Sequence, residues 1–223
     1  GVHGCPGSVR DFRWMGPCIA PHRTFVRLDL PGFGKTPLST FSSASFVDRA
    51  AWLTRFMDAL GIERAVVVGH SAGGPLALEL AASFPARVSG LGLVASPGVT
   101  AHRAVQQYKH RGLWSQLLRV PGIRDFLTVG VRKGFDRAGF PAGLPSVTLR
   151  QTIHIVAAFD FDRIAANLPK VHCPTLVAWA SDDRFIDDDI SQTLSHLAPD
   201  GPRIQFDEGG HYVQKHGAVE VAT

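Results

Sequence analysis

Ser71 stands in Gly69-His70-Ser71-Ala72-Gly73, directly after the β-branched run Ala65-Val66-Val67-Val68 and directly before a helical pattern. A buried strand that turns sharply into a helix lifts the residue at the turn to the strand's C-terminal edge, where a hydroxyl is free to act as a nucleophile. Gly69 and Gly73 suit the positions on either side, because side chains there would strike the neighbouring strand and helix. A serine hydroxyl needs a base. Of the ten histidines, His211 has the best setting: it follows the short strand-like Arg203–Phe206 and the pair Gly209-Gly210, so a flexible loop can carry it to a distant residue. His70, fixed beside the serine, is better placed to pack or to hydrogen-bond. A carboxylate behind the imidazole would complete a nucleophile–base–acid set, and Asp182 and Asp183 both follow the strand-like Pro174–Ala180.

A fourth requirement is a pair of donors for the negative oxygen that forms when a hydroxyl attacks a carbonyl. The loop Val2-His3-Gly4-Cys5-Pro6-Gly7-Ser8 precedes the serine turn and offers the backbone N–H of Cys5, which would act beside the N–H of Ala72. Cys5 would then serve through its backbone and not its thiol, since nothing around it marks an activated sulfur.

The elements that must position these groups alternate between strand and helix. Thr24–Leu28 reads as a strand entering the turn Asp29-Leu30-Pro31-Gly32-Phe33-Gly34, with Asp29 accepting backbone N–H bonds of that turn. Ser45 to Leu60 reads as a helix: Phe46, Ala50, Leu53, Met57 and Leu60 share a face, Ser45 and Asp48 mark its start and Gly61 its stop. Ala72 to Phe84 reads as another, with Leu76, Leu80 and Phe84 on one side. Val88–Ala95 reads as a second buried strand, with no carboxylate where it ends at Ser96-Pro97-Gly98.

Residues 99–168 break the alternation and scatter aromatics: Tyr108, Trp114, Phe126, Phe135, Phe140, Phe159 and Phe161. An inserted helical cap fits this pattern; it would exclude water and shape an apolar pocket, with most of the aromatics packing. After Pro174–Ala180, Asp187, Asp188 and Asp189 suit the N-terminus of a helix that carries Ile190, Leu194 and Leu197. Together with Asp182 and Asp183 they match no calcium-loop spacing.

With 223 residues, 45 % of them hydrophobic, the chain can bury one sizeable core. Its longest apolar runs fall far short of the ~20 residues that span a bilayer. Three cysteines, Cys5, Cys18 and Cys173, fit neither a disulfide framework nor a zinc site, so a reducing compartment, the cytoplasm, is the expected home. The formal charge is +4, and residues 101–150 hold nine Lys/Arg against two Asp. That segment could draw anionic substrates or a membrane surface, and a solvated outer face accounts for it equally well. No nucleic-acid motif accompanies it.

The order of the His-Gly loop, Asp29-Leu30-Pro31-Gly32-Phe33-Gly34, the serine turn, Ser181-Asp182-Asp183-Arg184 and Gly209-Gly210-His211 resembles the α/β-hydrolase superfamily over nearly the whole chain. The resemblance implies a mostly parallel sheet flanked by helices, with a core of residues 1–98 and 169–223 and a cap of 99–168. In that family the acid follows the strand after the cap in a pattern like Gly-x-x-Asp, and Ala180 stands where the Gly would be, which assigns the role to Asp183. His3-Gly4-Cys5-Pro6 is similar to the His-Gly-x-Pro loop of epoxide hydrolases; those enzymes use an Asp nucleophile, whereas position 71 is Ser. The resemblance thus implies a serine hydrolase with the triad Ser71, Asp183 and His211, cleaving a small, largely apolar ester through an acyl enzyme. Carbon–carbon bond hydrolysis, acyl transfer or perhydrolysis would use the same residues, and a receptor-like member of the fold would bind a small molecule with little turnover. No metal or organic cofactor is expected. Family members carry further strands before the His-Gly loop, so residues 1–223 are expected to be part of a longer gene product and to fold poorly alone, with the Cys5 loop weakly anchored.

Overall fold

The computed structural model describes residues 1–106, 110–137, 140 and 142–223. Its strands are β1 (Ala65–His70), β2 (Val88–Val94), β3 (Thr175–Ala180) and β4 (Arg203–Phe206). The helices, in chain order, are α1 (Met15–Ile19), α2 (Phe46–Ala59), α3 (Gly73–Ser83), α4 (Arg103–Gln106), α5 (Arg111–Leu117), α6 (Ile123–Arg137), α7 (Ser146–Ala157), α8 (Phe161–Asn167), α9 (Asp188–Leu197), α10 (Val213–His216) and α11 (Ala218–Ala222).

The four strands pair in sequence order and all in parallel. Successive side chains of a strand point to opposite faces. Val67, Leu91, Leu93, Val177 and Trp179 therefore join the larger core with α2, α3 and α8, while Val94, Ala178 and Ala180 join a smaller core with Phe12, Met15, Val213 and Val221. Helices thus cover both faces, and the chain is an α/β fold of three layers. Among the described residues no helix is long and apolar enough to cross a membrane.

The expected strand Thr24–Leu28 does not form. Leu28 makes a single parallel bridge to Val2, and Val2 makes another to Gly69. One bridge is all the pairing found for this segment among the described residues, too little to build a ladder. Short as it is, the Val2 segment is anchored on both sides. Its N–H donates to Val68 O (2.8 Å), its carbonyl accepts from His70 N–H (3.0 Å), and the Gly1 amine donates to Val26 O (2.8 Å).

The helix starts also differ in detail from their patterns. Ser45 Oγ accepts the Asp48 N–H at 3.4 Å, but the Asp48 carboxylate turns away to accept the Ser43 hydroxyl at 2.7 Å. Asp187 precedes α9 without capping it, because its carboxylate accepts the Arg103 N–H (2.9 Å) and pairs with the Arg103 guanidinium. Asp29 accepts two loop N–H groups, from Val9 (2.7 Å) and Lys35 (2.9 Å).

Between β2 and β3 the described residues carry helices and no strand. Leu118, Phe135, Leu149 and Ile153, carried by α6, α7 and the turn after α5, make a small core of their own. Helix α8 returns to the main core, and a buried charge fastens it there. Glu79 of α3, 1 % exposed, accepts two bonds from the Arg163 guanidinium (both 2.7 Å), one from Asn167 Nδ2 (2.7 Å) and one from Ser83 Oγ (2.7 Å). Burial pushes the Glu79 carboxyl up, but these donors outweigh it and hold the pKa below its ordinary 4.5. A group depressed on folding stabilises the native state above its unfolded pKa and loses that contribution as pH falls through the folded value. Arg163→Met should therefore cost ~1–3 kcal/mol at neutral pH. In urea titrations the gap to wild type should narrow below pH 4.5, and an equal gap at both pH values would contradict the account.

Candidate active site

The valine run of β1 ends at His70, and the chain turns into α3 with Ser71 at φ +51°. A non-glycine residue in the left-handed region costs of order 1–3 kcal/mol and persists only where its surroundings hold it. Here the Ser71 N–H donates to Val94 O of β2 (2.9 Å) and the Gly74 N–H donates back to Ser71 O (2.8 Å). The turn is also too tight for side chains beside it. A Cβ on Gly69 would lie 2.2 Å from Gly73 O, and one on Gly73 would lie 2.1 Å from Val2 O.

The loop after β4 brings His211 to this turn. Its Nε2 lies 2.8 Å from Ser71 Oγ and its Nδ1 lies 2.8 Å from Asp183 Oδ2. A carboxylate oxygen accepts, so Nδ1 carries the proton and Nε2 is free to accept from the Ser71 hydroxyl. Asp183, 5 % exposed, is fixed in turn: its Oδ1 accepts the N–H of Phe185 (2.7 Å) and of Ile186 (3.2 Å). Burial raises its pKa, but the His211 bond and charge and these two N–H groups prevail and lower it. For His211 burial lowers the pKa more than Asp183 raises it, so the imidazole is neutral at neutral pH.

Asp182 has a different task. Its Oδ1 accepts the Gly210 N–H at 2.7 Å, pinning the loop one residue before His211. His70 pins the same loop from below, donating Nε2–H to the His211 carbonyl (2.8 Å). The rings of Phe185 and His70 stand 4.9 and 5.1 Å from that of His211 and bracket it.

Cys5 and Ala72 both line the cavity in front of Ser71, and among the described residues no acceptor takes the backbone N–H of either. Burial pushes the Cys5 thiol up to about 12, so the sulfur is an uncharged wall. Sequence reasoning read His3 only as half of a His-Gly pair. In the structure its Nδ1–H donates to Gly4 O (2.6 Å) and its Nε2 accepts the Leu30 N–H (2.9 Å), tying the Cys5 loop to the turn after Leu28. A buried histidine beside a glycine was the available signal; which backbone groups it would reach was not written in the pattern.

The cavity encloses about 90 Å³ and is mostly apolar, with Val105, Phe135, Phe140, Val156, Phe159 and Phe185 among its walls. Trp114 and Phe126 are exposed instead, Phe161 packs on the main core, and Tyr108 lies outside the described residues. His102, 5 % exposed, also lines the cavity; burial lowers its pKa to about 4, so it too is neutral.

Comparison with known proteins agrees with this architecture. Residues 2–115 match the alpha/beta hydrolase fold family. The chain is 27 % identical, over 238 aligned positions and 99 % of its length, to the dihydrolipoyllysine-residue acetyltransferase component of the acetoin cleaving system of Pseudomonas putida, of which it spans 60 %. It is equally similar, again over 99 % of its length, to the 2-hydroxy-6-oxo-6-phenylhexa-2,4-dienoate hydrolase of Comamonas testosteroni, spanning 82 % of that protein. Among solved structures, a thermophilic esterase from Thermogutta terrifontis superposes with a TM-score of 0.76 at 18 % identity, covering 99 % of this chain and 85 % of that one. The meta-cleavage product hydrolase of Pseudomonas fluorescens IP01 gives 0.67 at 20 % identity, covering 98 % and 88 %. At such identities the structural likeness speaks for the fold. With the family matched over half of its length, this chain is a member of the α/β-hydrolase fold family.

Proposed function

We propose that this chain is a serine esterase that cleaves small, largely apolar esters through an acyl enzyme on Ser71. The observation that carries the reading is the unbroken hydrogen-bonded series Ser71 Oγ, His211, Asp183 at the floor of an apolar cavity. His211 Nε2 takes the Ser71 proton as Oγ attacks the ester carbonyl carbon, and Asp183 holds the imidazolium that results. The carbonyl oxygen becomes an oxyanion, which the N–H groups of Cys5 and Ala72 hold. The C–O bond to the alcohol then breaks, and His211 returns its proton to the departing oxygen. Water repeats the sequence on the acyl enzyme: His211 takes its proton, hydroxide adds to the carbonyl, and Ser71 leaves and is reprotonated.

Residues 99–168 act in this reading as the cap, and 1–98 with 169–223 as the core. The walls Val105, Phe135, Phe140, Val156 and Phe159 come from the cap segment, and α6 and α7 have a small core of their own. Carbon–carbon bond hydrolysis with the same groups is the second reading, favoured by the phenylhexadienoate hydrolase relative. The lining speaks for the ester: the cavity is of modest size and mostly apolar, which suits a short, uncharged acyl chain.

A series of chromogenic esters of increasing acyl length tests this directly. Short acyl esters should turn over fastest, and Ser71→Ala should lower kcat by ~10⁴–10⁶ with the fold intact. A variant that keeps more than about a tenth of wild-type turnover would remove Ser71 from the mechanism.

The neighbouring aspartates provide a second check. Asp183→Asn should lower kcat by ~10⁴, because the amide no longer fixes the correct His211 tautomer. Asp182→Asn keeps an oxygen for the Gly210 N–H, so its loss should stay within about tenfold. Equal losses in the two variants, measured on the same ester, would show that the roles are wrongly divided.

A further inference from the structure

Thirteen large apolar side chains are exposed among the described residues, and six of them fall between positions 113 and 129: Leu113, Trp114, Val120, Ile123, Phe126 and Val129. Scattered apolar residues are ordinary on a protein surface, but such a concentration marks a site of contact. Phe126 is 81 % exposed. On α6, Ile123, Phe126 and Val129 recur at three-residue spacing, and the same stripe continues at four-residue spacing into Lys133 and Arg137, both exposed. The opposite side of the helix carries Leu127, Val131 and Phe135 into the small core shared with α7. Helix α6 therefore presents outward a stripe that is apolar in its first half and basic in its second.

The charge around this stripe is one-sided. Residues 111–137 hold six Lys/Arg against Asp125 and Asp136, a surplus of four that equals the formal net charge of the whole chain. Asp125 already lies 3.5 Å from Arg124 and 4.0 Å from Arg150.

We propose that this face docks on an anionic lipid surface, with Ile123, Phe126 and Val129 entering the acyl boundary and Lys133 and Arg137 meeting the headgroups. An interfacial helix lies in the membrane plane with its apolar face entering the acyl boundary and its basic residues at the headgroups, and the outward stripe of α6 carries both kinds of group. Charge decides against a second copy of this chain as the occupant, since pairing two such faces would set their basic residues against each other. The contact is with the surface and is independent of the ester chemistry.

Flotation of the 223-residue chain with vesicles tests the proposal, using phosphatidylcholine alone and phosphatidylcholine mixed with phosphatidylglycerol. The chain should float with the mixed vesicles and not with phosphatidylcholine alone, and added salt should release it. Two double variants separate the contributions: Ile123→Ser with Phe126→Ser, and Lys133→Glu with Arg137→Glu. Each should weaken binding at least about tenfold. Their thermal transitions by circular dichroism should match wild type, because all four side chains are exposed. No binding to the mixed vesicles, equal binding to neutral ones, or binding unchanged in both variants would overturn the proposal. So would a dimer in analytical ultracentrifugation that forms through Phe126 while the chain ignores vesicles.

Discussion

The turn at Ser71 is the constraint on which the rest of the molecule depends. It holds a β-carbon-bearing residue at φ +51°, and only a rigid frame keeps a backbone there. The frame is the β1–β2 pairing on one side and α3 on the other. That helix is buried from Gly73 through Ala81, so it cannot tilt to relax the turn. Val2 closes the third side, its carbonyl lying where any side chain at position 73 would be. The sheet, the elbow helix and the loop that carries Cys5 thus meet at one residue, and the geometry around Ser71 is a packing result before it is a chemical one.

Around this fixed point, groups with no chemical part of their own hold the others in place. His3 ties the Cys5 loop, Asp182 and His70 tie the loop of His211, and the Phe185 and Ile186 N–H groups aim Asp183. Each bond replaces a regular sheet or helix contact that an irregular loop does not have. Burial does the rest. It lowers the pKa of His3, His102 and His211 alike, so the imidazole that faces Ser71 can accept a proton.

The most legible parts of the sequence are those where local pattern and tertiary role coincide. The valine run and two glycines around Ser71 describe a buried strand, a tight turn and a buried helix, and all three are observed. The Gly209-Gly210-His211 loop is legible because glycines announce a mobile approach to a strand end. Thr24–Leu28 pairs through a single bridge, because β-branched and apolar content measures how a segment would fit a sheet and not how much pairing it makes. Asp187, Asp188 and Asp189 do stand at the start of α9, but which partner the Asp187 carboxylate takes, here Arg103 instead of the helix N–H groups, is a tertiary matter. The division of labour between Asp182 and Asp183 is legible only through the family pattern, with Ala180 in the Gly place; the two residues by themselves leave it open, because side-chain direction at a strand end is not written in local composition. The outward stripe on α6 was hidden for a related reason: apolar residues occur on both sides of that helix, and only the position of α7 says which side is covered.

The central claim is that Ser71 is the nucleophile, activated by His211 in the folded chain. Its most direct test is covalent capture: incubation with a fluorophosphonate, which reacts with an activated serine hydroxyl, followed by peptide mass spectrometry. The account predicts a single adduct on the peptide containing Ser71, lost when His211 is replaced by alanine although the serine remains. An adduct on another residue, or labelling of Ser71 that is indifferent to His211, would contradict it.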